Sequence, residues 1–126
     1  MALRTPIKQA RGLGSAHHGT GHWMAQRITA VALVPLLLWL AFGIASYAGA
    51  DYAAARAWIG SPVTAIALVI TLAVASYHGV LGLQVVLEDY VPARAPRLVA
   101  NIVVQFAAVV LAAAGIFAVL KIALGG

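Results

Sequence analysis

The chain has 126 residues, of which 63% are hydrophobic and only 9% are charged, and its formal net charge is +5. Soluble globular proteins carry about 25% charged residues, so this composition excludes an ordinary soluble domain and indicates a membrane protein. Because the chain contains no cysteine, disulfides, thiolate-bound iron–sulfur clusters and cysteine-ligated zinc are excluded within it.

Three long stretches of the chain lack Asp, Glu, Lys and Arg, namely 28–50, 57–87 and 98–120. Each exceeds the ~20 residues that a helix needs to cross the hydrocarbon core of a bilayer. The sequence therefore predicts an all-α membrane protein whose three transmembrane helices form an up-down-up bundle. The predicted spans lie at about 24–49, 62–89 and 97–123, in a single membrane-anchor domain, 1–126, with a cytoplasmic arm at 1–23.

Prolines mark the predicted boundaries of these helices. Pro35 falls inside the first helix, where we expect it to cause a kink that neighbouring helices can accommodate. Ser61 and Pro62 predict the start of the second helix, as its N-cap and first helical residue. Pro92 and Pro96 are expected to stop that helix and to form a short cytoplasmic loop before the third.

The basic residues follow membrane topology, so they do not indicate a nucleic-acid partner. Only Arg56 and Lys121 fall on one side of the predicted membrane. The other six lie before the first span or between the second and third: Arg4, Lys8, Arg11, Arg27, Arg94 and Arg97. By the positive-inside rule, the N-terminus and the second loop face the cytoplasm. A bacterial inner membrane is the predicted location, and a mitochondrial inner membrane is the alternative.

His78 stands alone deep in the second uncharged stretch, where an unpaired polar group is costly. One interpretation is structural, with the imidazole bonded to a neighbouring helix. The other makes His78 an axial ligand to haem iron, a common role for histidine, with Gly79 and Gly82 leaving room for a flat macrocycle. Asp89 follows eleven residues later, which places it on the same helix face about 16 Å away along the axis.

The remaining histidines cannot complete such a site within this chain. His17, His18 and His22 precede the first span, near the predicted level of Asp89. That level is about 16 Å from His78 along the membrane normal, by the same rise per residue. If the haem has two histidine ligands, the second must therefore come from another chain, which predicts a hetero-oligomer and packing against a second anchor subunit.

The end of the second helix carries Glu88, Asp89 and Tyr90. Carboxylates are unfavourable at the negative end of the helix dipole, and Arg94 and Arg97 across the loop offer simple compensation. The functional interpretation is a proton relay at the membrane surface. A carboxylate beside a phenol that can donate a hydrogen bond suits a quinone carbonyl that is reduced and protonated there.

Arg27 and His22 are further candidates near the start of the first span. The simple role for Arg27 is to extend its guanidinium to the lipid headgroups. Beside a haem, it could instead pair with a propionate, and His22 is the histidine of the arm nearest to the membrane.

The spacing of His78, Gly82, Val85, Asp89 and Tyr90 resembles the signature of the D-type hydrophobic membrane anchor of succinate dehydrogenase (complex II). The stretches 21–23 and 26–30 are similar to that family's entry into its first helix. The resemblance covers nearly the whole chain. The Arg-His pair of the sister C-type anchors is absent after Gly82, which favours the D type.

This resemblance implies a role for each matched residue. His78 would be an axial ligand to haem b, Tyr90 would hydrogen-bond ubiquinone with Asp89 beside it, and Arg27 and His22 would lie near a haem propionate. It also implies a C-type cytochrome b anchor subunit with the second histidine, an iron–sulfur subunit and a flavoprotein subunit. Succinate would be oxidised by those other subunits and not by this chain.

Two other functions stay open at this point. The chain could be the haem-bearing anchor of another quinone-linked dehydrogenase, such as fumarate reductase. Alternatively, it could be a structural or transport subunit without haem, in which His78 only bonds a neighbouring helix.

Overall fold

The structure is a computed structural model that describes residues 6–7 and 19–126. Residues 19–126 form four helices: α1 (Gly19–Ser46), α2 (Tyr52–Gly60), α3 (Pro62–Tyr90) and α4 (Arg94–Ala123). Helices α1, α3 and α4 are each long and apolar enough to cross a membrane. No strand occurs in the described part of the chain. The prediction of an all-α protein with three spanning helices is therefore confirmed.

Helix α1 begins at Gly19, before the predicted start near residue 24, and contains Pro35 without ending there. The polar residues of the first turn can be helical because the first four amide N–H groups of any helix have no partner within it. His22 therefore lies in the first turn of α1. The C-terminal end comes before a turn that contains Gly49, whose positive φ of 84° is readily adopted only by glycine.

A short helix that the uncharged-stretch pattern does not predict, α2, connects α1 to α3. The Asp51 carboxylate caps it by accepting a hydrogen bond from the Ala54 amide at 2.8 Å. Such a cap satisfies one of the free N–H groups of the first turn. Asp51 before an alanine-rich segment is a sequence signal for the start of a helix, but the apolar residues around this segment made the short helix hard to recognise.

Helix α3 begins at Pro62 with Ser61 in the N-cap position, as the sequence predicts. The Ser61 hydroxyl makes no cap to a backbone amide and bonds instead to the Trp58 carbonyl, at 2.9 Å. The expectation that Pro96 belongs to the loop is wrong, because α4 already begins at Arg94. A proline in the first turn loses no helical hydrogen bond, since that amide would have no partner in any case.

The spanning helices form an open row. Helix α3 packs against α1 and against α4, whereas α1 and α4 do not pack on each other within residues 19–126. Between α3 and α4, the position of a Cβ on Gly115 would lie 3.1 Å from a methyl carbon of Leu72, so the absence of a side chain permits this approach. The row leaves both broad faces of the layer uncovered.

Helix α2 closes one end of the row through Trp58. Its indole stacks on Tyr47 with ring centroids 5.0 Å apart and lies 6.2 Å from the ring of Trp39. Gly43 of α1 leaves the space for this indole. At the same end, the Arg56 guanidinium donates a hydrogen bond to the Gly126 carbonyl, so α2 and the end of α4 lie together.

Few residues of the described part of the chain are buried. The buried apolar side chains are Leu33, Ala65, Leu81 and Val119. Large apolar side chains such as Val31, Phe42 and Phe106 stay mostly exposed. Lipid or another protein must therefore cover this surface, as expected of a multi-pass membrane protein.

Candidate functional site

His78 lies on the face of α3 that packs against α1. Its Nδ1 atom is 2.9 Å from the Oγ1 atom of Thr29, and both side chains are partly buried. This bond joins the two helices, so the imidazole does have the helix partner that its depth requires. The sequence reasoning missed Thr29 as the specific partner.

The surroundings of Thr29 decide which atom donates the proton in this bond. The Thr29 hydroxyl donates to the Ala25 carbonyl at 2.7 Å and is also within 3.1 Å of the Gln26 carbonyl. The carbonyls can only accept and the hydroxyl has a single proton, so we assign that proton to the Ala25 carbonyl and let the hydroxyl oxygen accept from His78. Assigned from this network, His78 carries its proton on Nδ1, and the lone pair of Nε2 is free.

Gln26 lies one turn closer to the start of α1 and faces Gly82 of α3. Its Nε2 atom is 3.7 Å from the position that a Cβ on Gly82 would occupy. Its Oε1 atom is buried and has no hydrogen-bond partner among the described residues. Gly82 therefore provides room for an amide side chain, and that amide keeps an unsatisfied acceptor next to the His78 level.

Gly79 faces open space. A Cβ added there would meet no atom within 4 Å. Gly79 also borders a groove of about 280 Å³ between α3 and α4. Gly79 therefore has open space on the side of α3 that borders α4, whereas at Gly82 the nearest group is Gln26 of α1.

A second groove, of about 470 Å³, lies on the other side of the same helix pair. The two grooves share Ser76 and Val80, which face α4 directly. The larger groove includes the polar side chains of Tyr77, Gln84 and Gln105. Open volume therefore flanks α3 on both faces of the row.

Asp89 and Tyr90 end α3, which runs without a break from His78 to Tyr90. The eleven residues from His78 to Asp89 therefore lie in one continuous helix, as the sequence predicts, and these two side chains are separated by about 16 Å along its axis. The Asp89 side chain is exposed, and Tyr90 is 81% exposed, so its phenol is accessible to a ligand. The structure places these two residues together but does not bring them to His78.

The arginines around these sites make other contacts in the structure. The Arg27 guanidinium lies over the indole of Trp23, 5.4 Å from the ring centroid, in a cation–π arrangement. Arg97 donates to the Val91 carbonyl at 3.5 Å, beside the end of α3. Arg27 itself is exposed, so this contact leaves it accessible to an anion.

His22 is half-buried in α1, two turns before Thr29. Because Thr29 marks the level of His78, His22 is about 10 Å away along the axis, closer than the sequence estimate. The two imidazoles are still too far apart to share one metal ion. His17 and His18 lie outside the described residues.

The described residues contain no group of three His, Asp or Glu side chains that could hold a metal ion. Of their histidines, His78 has one imidazole nitrogen fixed and the other free. Such a ring suits the role of one ligand to a metal whose remaining ligands come from elsewhere.

A family model described as the succinate dehydrogenase/fumarate reductase transmembrane subunit matches residues 1–116. The chain is 35% identical over 117 residues to the succinate dehydrogenase hydrophobic membrane anchor subunit of Rickettsia bellii, covering 93% of this chain and 94% of that one. It is 32% identical over 125 residues to the subunit of the same name from Paracoccus denitrificans, covering 99% and 96%.

A third relative, the succinate dehydrogenase membrane anchor subunit of Reclinomonas americana, is 29% identical over 94 residues, covering 72% of this chain and 78% of that one. No solved structure matches the chain.

Proposed function

The chain belongs to the succinate dehydrogenase/fumarate reductase transmembrane subunit family, and from this premise we propose that it binds haem b and contributes to quinone reduction in a succinate:ubiquinone oxidoreductase. Its role as a membrane anchor follows from the family and from the three spanning helices. Electron transfer and cofactor binding depend in addition on specific side chains.

One observation carries the haem proposal, namely the hydrogen bond between His78 and Thr29. Metal-binding histidines commonly donate their second ring N–H to a fixed acceptor, which sets the tautomer and the ring orientation. His78 has this arrangement, with Nδ1 engaged and Nε2 free. His78 would hold the iron through Nε2, and the haem would supply a one-electron redox centre within the membrane.

Further residues fit the edges of this group. Gly79, the residue after His78, faces open space, and a flat macrocycle would need such space near its ligand. Arg27 is exposed and could exchange its cation–π contact with Trp23 for an ion pair with a propionate. His22 is the second candidate for a propionate contact, because it lies on α1 towards the same end.

The quinone site would lie at the end of α3. The exposed Tyr90 phenol would donate a hydrogen bond to a quinone carbonyl, and Asp89 beside it would hold a proton for the reduced oxygen. Both groups lie about 16 Å from His78 along the same helix, so haem and quinone would occupy different depths of the membrane.

We expect partner subunits to complete the site. His78 would give one ligand to the haem iron, so a C-type cytochrome b anchor subunit would give the second and cover one face of the open row. A flavoprotein subunit and an iron–sulfur subunit would oxidise succinate and dock on the side of the N-terminus. The positive-inside pattern supports a cytoplasmic N-terminus in a bacterial inner membrane, surrounded by lipid.

The family description includes fumarate reductases, so a fumarate reductase anchor is the nearest alternative. The three relatives from Rickettsia bellii, Paracoccus denitrificans and Reclinomonas americana are succinate dehydrogenase subunits, which favours succinate oxidation. A structural or transport subunit without haem is the other alternative. In that case the bond to Thr29 would be the whole role of His78.

The test replaces His78 with Leu in the intact membrane complex and records the reduced-minus-oxidised haem spectrum. We expect loss of haem or a change from low-spin to altered coordination, because Leu has no ligand atom. Tyr77→Leu is the matched control, since Tyr77 neighbours His78 on α3 but lines the larger groove on the other side of the α3–α4 pair. An unchanged spectrum in the His78 variant would favour the structural alternative.

The requirement for a partner has its own test. The chain is expressed alone and titrated with haem, and the spectrum is compared with that of the complete complex. We expect at most a site with one histidine ligand. A six-coordinate spectrum with two imidazoles from the chain alone would contradict the proposed hetero-oligomer.

A further inference from the structure

We propose that Thr29 is the positioning residue for the His78 ligand, fixing its tautomer and ring orientation and thereby lowering the redox potential of the haem that His78 would hold. This inference rests on the proposed function. It assigns a role to a side chain on α1 that has no contact with the metal and acts through the His78 ring alone.

The first step is that Thr29 offers a fixed acceptor. Its hydroxyl proton is directed to the carbonyl of Ala25, one turn back in α1, at 2.7 Å. Threonine side chains in helices adopt few rotamers, and this back-bond selects one of them. The lone pair that accepts from His78 therefore points towards α3 before any ligand binds.

The second step is that the hydrogen bond chooses between two tautomers. With the proton on Nδ1, His78 satisfies Thr29 and leaves a lone pair on Nε2 for a metal. With the proton on Nε2, the Thr29 hydroxyl would have to turn from the Ala25 carbonyl to donate to Nδ1, its oxygen would lie 2.7 Å from a carbonyl oxygen with no proton between them, and the metal-binding nitrogen would be blocked. The first tautomer keeps both hydrogen bonds, so we expect it to predominate.

The third step concerns the electronics of the ligand. An acceptor on Nδ1–H makes the imidazole a stronger electron donor at Nε2. Stronger donation stabilises ferric over ferrous iron, which lowers the midpoint potential. Loss of the acceptor should raise that potential, and about a tenfold loss of ferric over ferrous affinity corresponds to a shift of about 59 mV for one electron.

The experiment compares Thr29→Val and Thr29→Ser in the intact complex. Valine matches the shape of threonine without the hydroxyl, whereas serine keeps the hydroxyl and loses a methyl group. We expect the valine variant to show a haem potential raised by about 59 mV and an altered low-spin electron paramagnetic resonance spectrum. The serine variant should remain close to the wild type in both measurements.

Thr71→Val is the matched control for the loss of a threonine hydroxyl. Thr71 is buried in α3, and its hydroxyl donates to the Ala67 carbonyl of its own helix at 2.7 Å. Like Thr29, it donates to a backbone carbonyl one turn back, but its hydrogen bond stays within α3. We expect this variant to keep the wild-type potential and resonance spectrum.

The outcomes separate this inference from the haem proposal. If Thr29→Val keeps the wild-type potential and resonance spectrum while His78→Leu alters the haem, the positioning role is overturned and the ligand assignment stands. If His78→Leu leaves the haem unchanged, both are overturned. If the valine and serine variants shift the potential equally, the hydroxyl is not responsible, and the inference fails on that result as well.

Discussion

Gly43 is the position at which the structure makes the sharpest prediction about packing. A Cβ on Gly43 would lie 2.3 Å from Cζ2 and 2.9 Å from Cη2 of the Trp58 indole. Ordinary contacts begin near 3.4 Å, so Gly43→Ala forces the indole to move by about 1 Å or more. That movement disturbs the contacts of the indole with Tyr47 and Trp39.

The size of the effect follows from these contacts. Each aromatic pair contributes about 0.5–1.5 kcal/mol beyond the burial of area, so loss of both costs about 1–3 kcal/mol. Alanine regains about 1 kcal/mol because it favours the helix more than glycine does. We therefore expect Gly43→Ala to destabilise the chain by up to about 2 kcal/mol, with loss of the near-ultraviolet circular dichroism signal of the stacked rings.

A double-mutant cycle tests the stated cause. In a Trp58→Ala background the obstacle is gone, so Gly43→Ala should become neutral or stabilising, with a coupling free energy of about 1–3 kcal/mol. Gly21→Ala is the control on the same helix, because a Cβ at Gly21 meets no atom within 4 Å. The thermal midpoint of the purified complex reports each variant. Equal destabilisation by Gly43→Ala in both backgrounds would refute the reasoning.

Three further changes give distinct results. Tyr90→Phe should lower quinone reduction about two- to tenfold, because one hydrogen bond is lost, while succinate oxidation by an artificial dye stays the same; equal quinone turnover would count against the site. Asp51→Ala should cost about 1 kcal/mol through loss of the α2 cap, seen as a lower thermal midpoint, whereas Asp51→Asn should restore most of it. Gly79→Leu should reduce the haem content of the complex without unfolding the chain, because it fills open space, and Gly79→Ala should retain haem; normal haem in the leucine variant would show that this space is not used.

The long spans could be predicted from the sequence because the bilayer imposes one simple requirement on them. A spanning helix needs about 20 residues without charges, and the three uncharged stretches meet it. The start of α3 was also predictable, since Ser61 followed by Pro62 favours a helix start for local reasons. The starts of α1 at Gly19 and of α4 at Arg94 were not predictable, because the polar first turns of these helices resemble loops in the sequence.

One feature of the candidate site could also be predicted from the sequence, and another could not. The spacing of His78 and Asp89 could be read from the sequence, since one continuous helix fixes it. The contact between His78 and Thr29 could not be predicted, because it depends on the register in which α1 packs against α3. Thr29 looks ordinary in the sequence, where a threonine in a spanning helix usually bonds its own backbone, and it does so here as well.

The open row is consistent with the proposal that the chain holds one ligand to the haem and depends on a partner for the other. Helix α3 has α1 on one side and α4 on the other, so the orientation of His78 is fixed within the chain by Thr29. Within residues 19–126 no further helix lies over the broad faces of the row, so the space at Gly79 is bounded by α3 and α4 and is open on its outer side. A haem in a membrane needs apolar walls on both sides and, with two histidines, a second ligand. A closed three-helix bundle would have buried His78, whereas this row fixes one nitrogen and leaves the other for the site that we propose a second subunit completes.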